Sequence, residues 1–252
     1  MMKRKFIFLL LLLTALPEIG WCGNQADSVK IDVRLGYGIG GTAPVGMPAT
    51  IRNLNSYTMQ PNFSFGADIQ KDFTSHWGIM SGIHIENKGM KTDATVKNYH
   101  MEIVRENESL TGNFTGRDVA KVKEWMLTIP VQATFRVNDL LLIKFGPYAS
   151  LLMSKEFSGY VYNGYLRVGN PTGPKVEMGN DESTRGTYDF SSDMRRMQYG
   201  LDLGADFYCW RNIGIYADVS WGFTGIFHSS FKTVEQTLYP IYGTIGVIYR
   251  LK

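Results

Sequence analysis

From residue 30 onward, apolar and polar residues alternate with period two in eight stretches. They lie at about 30–41, 60–73, 77–91, 120–138, 140–155, 194–210, 212–228 and 238–252. Period two is the signature of a strand with two unlike faces, whereas a helix repeats every 3.6 residues. In one stretch Ile213, Ile215, Ala217, Val219, Trp221 and Phe223 alternate with Gly214, Tyr216, Asp218, Ser220, Gly222 and Thr224. In another, Trp125, Leu127, Ile129, Val131, Ala133 and Phe135 alternate with Met126, Thr128, Pro130, Gln132, Thr134 and Arg136. Each is longer than the usual soluble strand of about 5–6 residues. Such lengths suit tilted strands that place about 9–11 residues in hydrocarbon.

The connections also alternate. Short turns at 74–76, at Asn138-Asp139 and at Arg211-Asn212 face long ones at about 42–59, 92–119, 156–193 and 229–237. Short turns on one side and long loops on the other are the habit of outer-membrane barrels. The expectation is therefore an all-β fold, an eight-stranded antiparallel up-and-down transmembrane β-barrel, with both chain ends periplasmic.

Alternation alone does not say which face is inside, because a soluble lipocalin-like barrel with an apolar ligand alternates as cleanly. Two features favour the lipid-facing choice. Glycines crowd the polar face (Gly66, Gly82, Gly146, Gly200, Gly204, Gly222, Gly246), where a narrow interior needs room for large neighbours. Aromatics cap the apolar face near strand ends: Trp77, Phe135 and Tyr249 on the short-turn side, Trp125, Trp221 and Phe223 on the other. Pro130 and Pro147 each remove a ladder donor and are read as bulge or bend sites.

The N-terminus "MMKRKFIFLLLLLTALPEIGWCG" has a basic start, an apolar run from Phe6 to Leu13 and then Pro17 and small residues. That is the pattern of a secretory signal peptide over 1–22, with cleavage expected before Gly23 and a short segment 23–29 leading into the barrel at 30–252. The rival reading, Cys22 as a lipoprotein cysteine, is disfavoured by the bulk of Trp21. Cleavage leaves Cys209 alone, so no internal disulfide is expected. A net charge of +3 gives no reason to expect nucleic acid as a partner.

Several stretches carry a family likeness. "MSGIHIENKGM", "WMLTIPVQATFRV", "KFGPYASLL", "YGLDLGADFY" and "YGTIGVIYRLK" occur in that order. As a set they resemble strands of the PorT-like outer membrane β-barrel family of Bacteroidetes, over about residues 30–252. The resemblance implies an outer-membrane barrel. The family's founding members are linked to secretion and gliding, but for this chain the resemblance implies the barrel alone.

Candidate chemistry centres on the polar face. Asp202 and Asp206 would meet on a helix, but on a strand four steps of about 3.3 Å hold them about 13 Å apart. They cannot share a metal or a proton. The expected inward set is Asp32, Arg34, Asp68, Asp72, His84, Glu86, Lys88, Arg136, Lys144, Asp202, Asp206, Asp218 and Arg250. Its signs nearly balance, as a buried structural charge network requires. The histidines form no HxxxH or Cys/His cluster, so neither a metal nor a cofactor is expected. "HSS" at His228–Ser230 is the best residue set for a rival reading, an enzyme at the rim acting on lipid or peptide, and no acid at a telling spacing supports it. The leading expectation is a non-enzymatic outer-membrane protein, structural or surface-binding. Its partners would be outer-membrane lipid and a protein or glycan at the long loops, "YVYNGYLRVGNPTGP" among them.

Overall fold

The computed structural model describes residues 29–251 except 45, 47, 107, 232, 235 and 236. The expected signal peptide and its cleavage point lie outside the described residues. Eleven antiparallel strands form one sheet: β1 (Val29–Pro44), β2 (Ile51–Met59), β3 (Asn62–Asp72), β4 (Trp77–Arg105), β5 (Glu108–Arg136), β6 (Leu141–Val168), β7 (Lys175–Met178), β8 (Gly186–Asp189), β9 (Met197–Trp210), β10 (Ile213–Gly222) and β11 (Leu238–Arg250). The pairing path runs β2-β4-β3-β1-β11-β10-β9-β6-β5, β4 also pairs with β5, β7 pairs with β6, and β8 pairs with both β4 and β6. No helix among the described residues is long and apolar enough to cross a membrane, which says nothing of strands.

The sheet corrects the expected eight-stranded barrel. It has eleven strands, and β4, β5 and β6 run for 29, 29 and 28 residues through what reads in the sequence as loop. The physical reason is a change of solvent along the strands. Near the short turns the apolar residues point outward: Trp77, Ile79, Ile83, Ile85, Ile129, Val131 and Phe145 are exposed, and Ile215 and Ile245 are 54% and 68% exposed. Further along, the apolar residues point inward. Val96, Met101, Ile103, Phe114, Phe157, Val161 and Leu166 are buried together in one core. Bulges between Val96 and Tyr99 and between Thr115 and Arg117 shift the register by a residue, with Asn98 in the left-handed region (φ 55°). Alternation that changes phase looks like its absence, so the extended strands are hidden from a period-two reading.

The outward apolar belt settles which face is inside. An exposed apolar surface far beyond a few hundred Å² has no place in water. A soluble barrel would bury it. The belt ends at ring-to-ring contacts, Trp77 on Phe135 (4.8 Å) at one edge and Trp221 on Phe223 (5.6 Å) at the other. Beyond the second edge the β4–β5–β6 extension rises with a polar exterior and its own core, on which Tyr188 and Phe190 stack at 5.1 Å.

Candidate functional site

The polar face curls on itself. Arg34 on β1 bonds to Asp68 on β3, reaches the Met80 sulfur of β4 (3.4 Å), and on its other side meets Asp206 of β9 (3.2 Å) and Asp218 of β10 (3.5 Å). In a flat sheet β1 and β9, three strands apart, would stand about 14 Å from one another. Lys144 on β6 completes the cluster, 2.8 Å from Asp206 and 2.8 Å from Asp218. His84 Nε2 lies 2.8 Å from Asp68 Oδ1. Arg34, Asp68, Lys144 and Asp206 are all within 2% of full burial.

Two glycines make this possible. Gly204 stands in register between Lys144 and Asp218, and a Cβ there would strike the Asp218 carboxylate and the Lys144 stem. The ion pair forms across the gap. Gly66 stands likewise between Arg34 and His84, and a Cβ would strike the His84 ring.

A second layer lies toward the short turns. Arg250 grips Asp32 through two bonds (2.9 and 3.0 Å), and the Tyr208 hydroxyl donates to Asp32 (2.9 Å). Asp72 accepts from Lys30 and Arg136, each at 2.6 Å. A third layer lies toward the extension. Lys88 sits 3.3 Å from Glu86 and over the rings of Tyr148 and Tyr242, at 5.6 and 5.3 Å. Thr128 donates to Glu86 (3.1 Å), and Gln198 donates to Glu124 (2.9 Å).

The structure thus brings twelve of the thirteen expected residues into direct contacts and leaves Asp202 outside them. Asp202 makes no hydrogen bond and no ion pair within 4.0 Å among the described residues, although it faces the same side as Asp206. Tyr148, Tyr208, Tyr242, Glu124 and Gln198 are network members that the charge-based reading passes over. Their parity along β6, β9, β11 and β5 was the available signal.

The outer extension carries its own polar contacts. Arg117 holds Asp93 through two bonds (2.9 and 2.7 Å), and Tyr162 donates to the same carboxylate (2.9 Å). The Asp93 carboxyl accordingly lies below the usual carboxylate range, chiefly through Arg117. Tyr188 of β8 donates to Asp118 of β5 (2.8 Å), and burial pushes the Asp118 carboxyl up to about 6. At the rim the His228 N–H donates to the Asp193 carbonyl (2.9 Å), and no acid side chain bonds its ring among the described residues. No group of three or more His, Cys, Asp or Glu could hold a metal ion among the described residues.

Solved structures similar to this chain include Ail of Yersinia pestis in complex with the heparin analogue sucrose octasulfate (10% identity, TM-score 0.39, 88% of this chain and 97% of that one). CarO of Acinetobacter baumannii aligns at 11% identity and TM-score 0.40, over 86% of this chain and 96% of that one. The translocator domain of the autotransporter NalP from Neisseria meningitidis aligns at 11% identity and TM-score 0.25, over 99% and 95%. Likenesses this distant transfer no function. No curated protein matches. The family model described as the outer membrane protein beta-barrel domain matches residues 24–228, most of the chain, and with its lipid-facing belt and polar interior the protein belongs to that family.

Proposed function

We propose that the protein is a non-enzymatic surface-binding protein of the outer membrane, in which the spanning strands hold the β4–β5–β6 extension outward from the cell. The observation that carries this reading is the second apolar core. A chain that only needed to plug a membrane would end its strands near the Trp125 girdle, whereas β4 and β5 continue beyond it and bury Val96, Met101, Ile103 and Phe114. A packed core makes the extension a rigid platform. The interior charge network is structural in this reading, since its paired groups fill the space that a wide pore would need. Strand motifs quoted above support a narrower placement among PorT-like members, and residues 1–22 serve as the cleaved export signal.

The test is adhesion of intact cells that carry the full chain or a form lacking 94–116. Both should show heat-dependent gel mobility, the mark of a folded membrane barrel. Cells with the full chain should attach to immobilised protein or glycan surfaces and those with the shortened chain should not. Because the deletion also opens the core, a milder variant changes only the tip (Arg105→Ala with Glu108→Ala). Equal attachment by all three would remove the extension from the function.

A further inference from the structure

A cavity of about 550 Å³ opens on the outward face of the extension, lined by Lys91, Lys121, Ser158, Tyr160, Arg185 and Asp189 among others. Its floor is built by register. Lys91 of β4 pairs with Lys121 of β5, Lys121 with Ser158 of β6, and Ser158 with Asp189 of β8, so four strands contribute one row. The Arg185 guanidinium lies over the Tyr160 ring at 4.3 Å. We propose that this cavity, with the neighbouring Lys123, binds the phosphate of a phosphorylated lipid headgroup in the outer leaflet.

Position argues for a lipid source. Trp125, Lys123 and Lys121 lie two residues apart on β5 and so share the outward face. Trp125 is exposed and marks the girdle, which sits at headgroup level. Lys121 lies four residues further, about 13 Å along the strand, less in height once the strand tilts. That height puts Lys121, whose ammonium lies 3.4 Å from Glu156, close outside the hydrocarbon. A lysine there is a point charge suited to phosphate.

The charges of the site are unevenly satisfied. Glu156 is shared by Lys121 (3.4 Å) and Lys123 (3.9 Å), and Arg185 pairs with the exposed Glu182 (2.9 Å). Asp189 accepts from the Ser191 N–H (2.9 Å). Lys91 has no ion-pair partner among the described residues, and the Arg185 Nε is buried without a hydrogen-bond partner. The donors left over are cationic, and they converge on an opening large enough for a phosphorylated sugar.

This inference rests on the outward orientation proposed above. It is tested with the full chain in nanodiscs, using bisphosphorylated lipid A, its dephosphorylated form and inorganic phosphate as probes. The phosphorylated lipid should be retained about tenfold better than the dephosphorylated one, given the contribution of each lysine near a charged surface. Lys91→Gln with Lys121→Gln should erase that preference, while Lys91→Arg with Lys121→Arg should keep it. Gel mobility before and after heating confirms that each variant is folded. Equal retention of the two lipids, or no loss in the glutamine variant, overturns the proposal. Full competition by millimolar inorganic phosphate would assign the cavity to free phosphate and overturn the lipid assignment. If lipid retention ignores charge while adhesion still needs the extension, this proposal alone falls.

Discussion

Asp202 and Asp206 are four residues apart on one strand and face the same interior, yet their surroundings are opposite. Asp206 is completely buried between Arg34 and Lys144, with an ion pair to each. Among the described residues, Asp202 has neither bond nor ion pair. Removing one partner of a buried pair costs about 3–5 kcal/mol, because the remaining charges stay desolvated. Asp206→Asn is therefore expected to lose about that much, whereas Asp202→Asn should be neutral or slightly stabilising. Urea unfolding of the detergent-solubilised protein, followed by tryptophan fluorescence, compares the two. Equal losses would mean that Asp202 has a partner of its own. Strand parity shows that the two carboxylates are not a dyad, but it cannot tell which has a cation. That depends on Arg34, which reaches Asp206 from β1, a strand that is not paired with β9.

At the scale of elements, the spanning parts of the strands were legible because lipid outside and polar side chains inside enforce one phase over many residues. The extension was not, because its phase inverts: Ile83 and Ile85 face out on β4, while Val96, Met101 and Ile103 on the same strand face in. The short β8 was also hidden, since four residues carry no period. It is held to β5 in part by the Tyr188 bond to Asp118. The Asp118 carboxyl titrates near 6 in the folded chain, raised by burial, against the Tyr188 bond and with the Asp93 charge adding to the rise. An unfolded aspartate titrates near 3.9. Between about pH 4 and 6 the folded state holds a proton that the unfolded state has lost, so stability falls as pH rises through that window. Asp118→Asn carries no charge at any pH and keeps an acceptor for Tyr188. The variant should flatten the slope and protect the extension more at neutral pH. Near-UV circular dichroism of urea-treated protein at about pH 4 and pH 7.5 reads this, and an unchanged slope would assign the pH dependence to another group.

Across the whole molecule, two solvents stabilise two halves of one sheet. Near the short turns, lipid covers the apolar belt while charges pair inside; beyond the girdle, water covers the outside while apolar side chains pack inside. The interior of the lower half determines whether ions pass. Three stacked layers occupy it: Asp32, Tyr208 and Arg250; then Arg34, Asp68, Lys144, Asp206 and Asp218; then Lys88, Tyr148, Tyr242 and Glu124. Most of these side chains are buried. An ion crossing this stack would have to displace bonded charges that lack water to replace their partners. Purified protein in planar bilayers should therefore show no porin-like conductance steps, at either low or high salt. Replacing the bulky members of the third layer (Tyr148→Ala with Tyr242→Ala) removes the rings that cover Lys88 and leaves the middle layer intact, so that variant should also stay closed. Steps in the parent protein would show that the layers open, and steps in the double variant alone would place the seal at the third layer and not at the Arg34 cluster.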